Sequence, residues 1–303
     1  MVTVLIFTFN AGHKFASLLD SLQEQTLKPA QIIVVDSHST DQTVKVAESR
    51  GCKVIVIDHG KFDHGGTRTL AAKKTEGEIL VFLTQDVKPF DSDALKKLIE
   101  PLDSPDIAAV FGRQIPHPDA SIYASHLRLF NYPDKSYIRS IEDKETYGIK
   151  TAFLSDSFSA YKKKDLEEIG YFKSNLIFGE DICAAAILLI KGRKIAYAAH
   201  AKVYHSHNYT VSQDFKRYFD MGVFHKTEKW LLATFGKPTG EGLNYVKSEF
   251  KYLLKQNKIY LLPEFILRTT LKYFGYKVGL CYKYIPRTLT RKLSMNYSWW
   301  DQC

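Results

Sequence analysis

Ile79-Leu80-Val81-Phe82-Leu83-Thr84-Gln85-Asp86 is a run of strand-forming residues that ends abruptly in a carboxylate, with Pro89 just beyond as a stop to pairing. Short apolar runs bounded by turn signals read as buried strands. In open α/β sheets, ligands bind outside the carboxyl ends of such strands. Asp86 can therefore cap the following turn or hold a metal-bound phosphate, and the octapeptide alone does not choose. The pattern repeats upstream. Gln31-Ile32-Ile33-Val34-Val35-Asp36 runs into Ser37-His38-Ser39-Thr40-Asp41, and Val2 to Phe7 runs into Thr8-Phe9-Asn10-Ala11-Gly12. Between them, Phe15 to Gln25 carries Leu18, Leu19 and Leu22 at helical spacing; Thr43 to Arg50 reads as a second helix and Lys53 to Ile57 as a third strand. This alternation predicts βαβ units and an α/β fold with a mostly parallel central sheet flanked by helices. Right-handed crossovers then bring the polar strand ends out along one edge.

A chain of 303 residues can bury a full core, and 45% hydrophobic with 25% charged residues is ordinary globular composition, which excludes disorder. Cys52, Cys183, Cys281 and Cys303 are scattered without C-x-x-C spacing, as expected of a reduced, cytosolic protein rather than a disulfide framework or zinc site. The first apolar run has strand length and no basic region before it, so no signal peptide is expected.

The net charge of +9 is uneven. Residues 1–215 hold 26 Lys and Arg against 27 Asp and Glu, whereas residues 216–303 hold 16 against 6 and also 18 of the 40 aromatic residues. We therefore expect one domain over 1–215 and a helical, basic, aromatic-rich extension over 216–303 that meets a polyanionic partner. Pro263 can open a helix there. Leu267, Leu271, Phe274, Val278, Cys281 and Ile285 recur at i+3/i+4 spacing, with Arg268, Lys272 and Lys283 on another face. Such a helix is too charged to span a membrane; it can lie on an anionic membrane surface, or pack its apolar stripe on the catalytic domain with its lysines solvated. No base-reading module is visible, so no nucleic-acid partner is expected.

Three further segments carry candidate chemistry. Asp58 to Arg68 places Gly65 and Gly66 before a helix through Lys74, where backbone N–H groups and Arg68 could receive an anion. A plain glycine turn fits the same residues. Phe178-Gly179-Glu180-Asp181 precedes the apolar helical run Ile182 to Ile190, so Asp181 is either a helix-start acid or a base for an attacking hydroxyl. The strand-like Lys194 to Tyr197 and Ala201 to Tyr204 lead into His205-Ser206-His207, whose imidazoles could join Asp86 at a metal or remain in solvent.

In this order and spacing, Thr8-Phe9-Asn10, Val35-Asp36-Ser37, Thr84-Gln85-Asp86, Glu180-Asp181 and the late His-x-His resemble family 2 inverting glycosyltransferases of the GT-A fold over about residues 1–215. Phe62 to Arg68 and Phe153-Leu154-Ser155-Asp156-Ser157-Phe158-Ser159-Ala160 are similar to bacterial rhamnosyltransferases that use dTDP-L-rhamnose for surface polysaccharides. Thr84 stands where many members carry the first acid of a D-x-D motif, and Thr69 where the rhamnosyl-type motif has Asn. The resemblance implies a nucleotide-sugar donor, dTDP- or UDP-linked, held by Thr8, Asn10, Asp36, Gly65, Gly66, Arg68 and Gln85. It implies Mg²⁺ or Mn²⁺ on Asp86 with His205 and His207, Asp181 as general base, and Asp156 and Glu180 on the acceptor and sugar side. The expected acceptor is a polyprenyl-diphosphate-linked saccharide, and the expected location is the inner face of the plasma membrane. A nucleotidyltransferase would need a basic cluster after the first strand, which Thr8 to Gly12 lacks; a non-catalytic carbohydrate- or lipid-binding protein would be indifferent to Asp181.

Overall fold

The computed structural model describes residues 1–12, 14–236 and 240–302. Its strands are β1 (Val2–Thr8), β2 (Gln31–Asp36), β3 (Lys53–Val56), β4 (Ile79–Thr84), β5 (Lys88–Pro89), β6 (Ile107–Ile115), β7 (Tyr137–Arg139), β8 (Phe158–Lys162) and β9 (Lys194–Tyr204). The first helices are α1 (Lys14–Gln23), α2 (Thr43–Glu48), α3 (His64–Lys73), α4 (Ala94–Ile99), α5 (Ile122–Asn131), α6 (Lys144–Tyr147), α7 (Lys163–Glu168) and α8 (Glu180–Ile190). The rest are α9 (Val211–Thr227), α10 (Lys229–Phe235), α11 (Glu241–Lys255), α12 (Leu262–Leu280), α13 (Arg287–Leu293) and α14 (Trp299–Gln302).

One sheet runs β3-β2-β1-β4-β8-β6-β9-β5, with β7 also on β9. The β3-β2-β1-β4 half is parallel, as the alternating strands and helices predict. The antiparallel β8 then joins β4 to β6, while β6 and β9 run parallel. Both faces are covered, which is why the strands read as continuous apolar runs. Leu5, Phe7, Ile33, Val35, Leu80 and Phe82 share one core with residues of α8 and α9; Val4, Ile6, Val34, Val81 and Leu83 share the other with α1 and α4.

Three expectations change here. Pro89 does not end the pairing but transfers it: β5 bonds to the far end of β9, with Lys88 opposite Tyr204 and Pro89 opposite Val203. Second, the boundary at residue 215 falls inside α9. Phe219, Val223, Phe224, Leu231, Phe235 and Trp300 share a core with the sheet, so the shift in charge is not a break in packing. Third, of the two arrangements open to α12, inward packing of the whole apolar stripe with its basic face in solvent is not the one adopted. Arg268 and Lys272 are buried against α9 and α11, while Leu267, Phe274 and Cys281 are exposed.

The physical reason is the closeness of α9 and α12. A Cβ on Gly279 would lie 2.1 Å from the Phe219 carbonyl oxygen, and one on Gly275 2.5 Å from that of Phe215, so backbone meets backbone. Gly222 of α9 faces Tyr276 and Leu280 in the same way. Glycines, not leucines, therefore define the seam. Arg268 is satisfied there by Asp214, Glu264 and the Tyr209 carbonyl, and the Lys272 ammonium lies 5.1 Å from the Tyr245 ring centre. Cys52, Cys183 and Cys281 are free thiols; Cys303 lies outside the described residues.

Candidate active site

The ends of β1, β2 and β4 lie side by side, Thr8 opposite Asp36 and Phe7 opposite Thr84. Asp36 is fully buried. Its Oδ2 accepts from Thr8 Oγ1 at 2.8 Å and Ser39 Oγ at 2.6 Å, and its Oδ1 from the Ser39 N–H at 2.7 Å. Thr8 and Asp36 thus brace each other and the Ser39 turn at the strand ends. Asn10, at φ 46°, stands on the exposed rim, with its side-chain oxygen accepting from the Thr40 N–H at 2.9 Å. Gln85 ties the same rim to β4, accepting from the Phe9 N–H at 2.8 Å and donating back to its carbonyl at 3.3 Å. Phe9 stacks on His59 at 4.2 Å between ring centres.

The glycine loop is not an open anion cradle. Asp63 caps α3 by accepting from the Gly66 N–H, so a carboxylate already fills that helix end. A Cβ on Gly65 would lie 1.9 Å from the Lys173 carbonyl oxygen, so that glycine permits a backbone crossing. Arg68 is buried, with Nη1 2.9 Å from Glu180 and Nε 3.2 Å from Asp156. Its charge is engaged by two buried carboxylates. Asp156 and Glu180 in turn face Arg68.

Asp181 sits above this cluster. Gly179, at φ 87°, starts α8 with Glu180 and Asp181 in its first turn. Asp181 is half-buried; one oxygen accepts from the Asp156 N–H at 3.2 Å and the other from the Ile182 N–H at 2.8 Å. Desolvation, then the charges of Glu180 and Asp156, push its carboxyl up to about 8, against the pull of Arg68. Desolvation also raises Asp156, to about 6. The site therefore holds a carboxyl whose proton affinity lies near neutral pH, as a general base requires.

The metal candidates come together. Asp86 Oδ2 is 3.3 Å from His205 Nε2 and 3.7 Å from His207 Nδ1, and one ligand atom from each of the three residues fits within a 4.8 Å cluster. The β5–β9 pairing makes this possible, because it folds the link after β4 onto the end of β9. Burial works against the Asp86 charge, but the adjacent imidazoles outweigh it and hold the carboxyl well below its usual range. Burial lowers His205, and burial together with His205 lowers His207 to about 4, which favours the neutral, lone-pair-bearing form of each imidazole.

Two residues absent from the sequence reading complete the site. Gln114, near the end of β6, takes hydrogen bonds on Oε1 from Arg128 and His205 and donates to Ser155 Oγ at 3.0 Å. Arg217 lies over the Phe178 ring at 4.6 Å, and its charge acts on His64, Glu180 and His207 together. A basic residue ten positions after the His-x-His was the available signal for Arg217. For Gln114 no local signal existed, since its partners come from three distant segments.

Residues 3–170 match the model of glycosyl transferase family 2. The chain is 44% identical over 302 residues to the O-antigen chain rhamnosyltransferase RfbN of Salmonella typhimurium, covering 99% of this chain and 96% of that protein. It is 42% identical to the O-antigen chain rhamnosyltransferase WbaN of Salmonella anatum, at 99% and 95% coverage. The mannosyltransferase PcManGT of Pyrobaculum calidifontis, solved with GDP-Man and Mn²⁺, superposes with a TM-score of 0.59 at 18% identity, covering 98% of this chain and 85% of that one. S. aureus TarS 1–349 with UDP-GlcNAc gives 0.53 at 16% identity, with 92% and 90% covered. These structures establish a shared GT-A fold, and the family match together with the full-length relatives makes the chain a member of glycosyl transferase family 2.

Proposed function

We propose that this glycosyltransferase is an inverting rhamnosyltransferase, moving L-rhamnose from dTDP-L-rhamnose to a polyprenyl-diphosphate-linked saccharide in cell-surface polysaccharide synthesis. The observation that carries this reading is a continuous path from Asp86 through His205, Gln114 and Ser155 to the Asp156 N–H that Asp181 accepts. It links a cation-binding triad to a carboxyl of raised proton affinity. Transfer from a sugar diphosphate needs both: charge neutralisation at the leaving group and a base at the acceptor. The donor and acceptor classes are supported by RfbN and WbaN, whose similarity runs along nearly their whole length.

Asp86, His205 and His207 would hold a divalent cation. One carboxylate with two imidazoles suits Mn²⁺ better than Mg²⁺, which prefers an all-oxygen shell. When bound, the ion supplies Lewis-acid neutralisation of the diphosphate. Asp181 takes the proton of the acceptor hydroxyl, and two backbone N–H groups keep its carboxylate oriented. Arg68, Asp156 and Glu180 act behind it as a charge-balanced support. Asn10 and Gln85 border the nucleotide side, and Arg217, whose charge acts on both Glu180 and His207, would supply a cation to the diphosphate.

Residues 216–303 would serve the acceptor and membrane side, with the chain peripheral on the inner face of the plasma membrane. No helix among the described residues is long and apolar enough to cross a membrane. Helices α11 and α12 and the turn between them expose Tyr260 (68%), Ile266 (62%), Phe274 (53%) and Leu267. Lys251, Lys255, Lys258 and Lys277 are exposed on the same elements. Apolar side chains flanked by cations suit an anionic lipid surface.

Release of nucleoside diphosphate tests the assignment. With dTDP-L-rhamnose, Mn²⁺ and a lipid-linked acceptor we expect turnover that Asp181→Asn abolishes while donor binding stays within a few fold. Retained turnover in that variant removes the assigned base, and faster turnover with a UDP-sugar removes the assigned donor. Co-sedimentation with anionic liposomes should be lost in the double variant Ile266→Glu/Phe274→Glu; unchanged sedimentation refutes the membrane face.

A further inference from the structure

Gln114 is almost wholly buried, and its amide meets three partners. Oε1 lies 2.7 Å from Arg128 Nη1 and 2.7 Å from His205 Nδ1, while Nε2 lies 3.0 Å from Ser155 Oγ. A guanidinium can only donate hydrogen bonds. The amide atom facing Arg128 must therefore be the oxygen, and the amide is not free to flip. The same oxygen faces His205 Nδ1, so that nitrogen carries the hydrogen. In a neutral imidazole, Nε2 is then bare. Nε2 is the atom 3.3 Å from Asp86 Oδ2, itself an acceptor, with His207 Nδ1 3.7 Å from the same oxygen. In that neutral tautomer no hydrogen lies between Nε2 and the carboxylate, and the converging lone pairs are satisfied by a cation, as they otherwise would be by a proton.

We propose that Gln114, locked by Arg128, is the positioning residue of the metal centre: it holds His205 as the Nδ1–H tautomer and so aims the Nε2 lone pair at the position shared with Asp86. The proposal rests on the metal reading of Asp86, His205 and His207 given above. It assigns to an amide and an arginine the outer partnership that metal-bound histidines commonly find in a carboxylate or carbonyl. Nothing in the local sequence Gly112-Arg113-Gln114-Ile115 announces this role.

The test uses the full-length chain, with two readouts. In metal-free ¹⁵N-labelled protein, long-range ¹H–¹⁵N correlation identifies the His205 tautomer, assigned by loss of its signals in His205→Gln. We expect Nδ1–H. Electron paramagnetic resonance of free Mn²⁺ gives the affinity. Gln114→Leu should weaken Mn²⁺ binding about 10- to 100-fold, the usual effect of losing such a partner. Gln114→Glu retains an acceptor for Nδ1 and should stay within several-fold of wild type. Arg128→Met leaves Gln114 in place but frees the amide to turn, so the tautomer should become mixed or reverse, with weaker Mn²⁺ binding. That variant separates positioning from mere filling of space. An Nε2–H tautomer in a wild type that binds Mn²⁺ overturns the proposal alone. Unchanged affinity in both Gln114→Leu and Arg128→Met does the same. A wild type that binds no Mn²⁺ overturns the metal reading and this proposal with it.

Discussion

Glu180→Gln should move the pH dependence of transfer to lower pH. Glu180 is buried, adjoins Asp181 in the chain, and is among the charges that raise the Asp181 carboxyl to about 8. At an effective dielectric of about 20, a like charge roughly 6–8 Å away costs on the order of 2 kcal/mol, or about 1–2 pH units. Replacing the carboxylate by an amide removes that repulsion. It also leaves Arg68, 2.9 Å from Glu180, more strongly attractive toward Asp181, so both changes lower the pKa. The sign follows from the role: a base works deprotonated, so kcat/KM rises with pH through the pKa of Asp181. Because Asp181 keeps partial exposure, the wild-type limb should fall at about 6–8, well above the ordinary Asp value near 4. The assay is nucleoside diphosphate release at subsaturating donor and saturating Mn²⁺ across pH 5 to 9. A purely structural effect of the substitution would lower the plateau or the melting temperature and leave the limb where it was. A wild-type limb below pH 5, or an unmoved limb in Glu180→Gln, refutes the electrostatic coupling of these two carboxyls.

Other outcomes follow from the same contacts. Arg68→Met strands Asp156 and Glu180 without their buried cation and should destabilise the fold by about 3–5 kcal/mol in denaturant titration. Gly279→Ala puts a methyl 2.1 Å from a carbonyl of α9 and should cost about 1–3 kcal/mol, read as a fall in Tm. Asp86→Ala should abolish the thermal stabilisation by Mn²⁺, which at a hundredfold excess over Kd amounts to about 2.7 kcal/mol in wild type. Arg217→Ala should raise the donor KM while leaving Tm close to wild type, since its guanidinium lies over the Phe178 ring and acts on Glu180 and His207 through its charge.

Much of this was legible in the chain. The unbroken apolar runs of β1, β2 and β4 and the leucine spacing of α1 mark the parallel half of the sheet, because strands covered on both faces read as continuous apolar segments. The motif order locates Asp86, Asp181 and the two histidines, since strand ends and helix starts are local events. What the sequence could not express was pairing between distant segments. Pro89 reads as a terminator, yet it joins β9 and thereby carries Asp86 to His205 and His207. Arg68 reads as a phosphate fork, yet Asp156 and Glu180, from segments far along the chain, claim it first. Likewise the spacing of α12 left open whether its apolar stripe packs inward or faces a membrane, and three glycines allow α9 to approach from the side that bears Arg268 and Lys272. The sequence by itself determined the parallel half of the sheet, the candidate acids and the basic tail. Tertiary structure alone decided which charges neutralise one another and which remain for a ligand, because burial and ion pairing depend on separation in space, which spacing along the chain does not set.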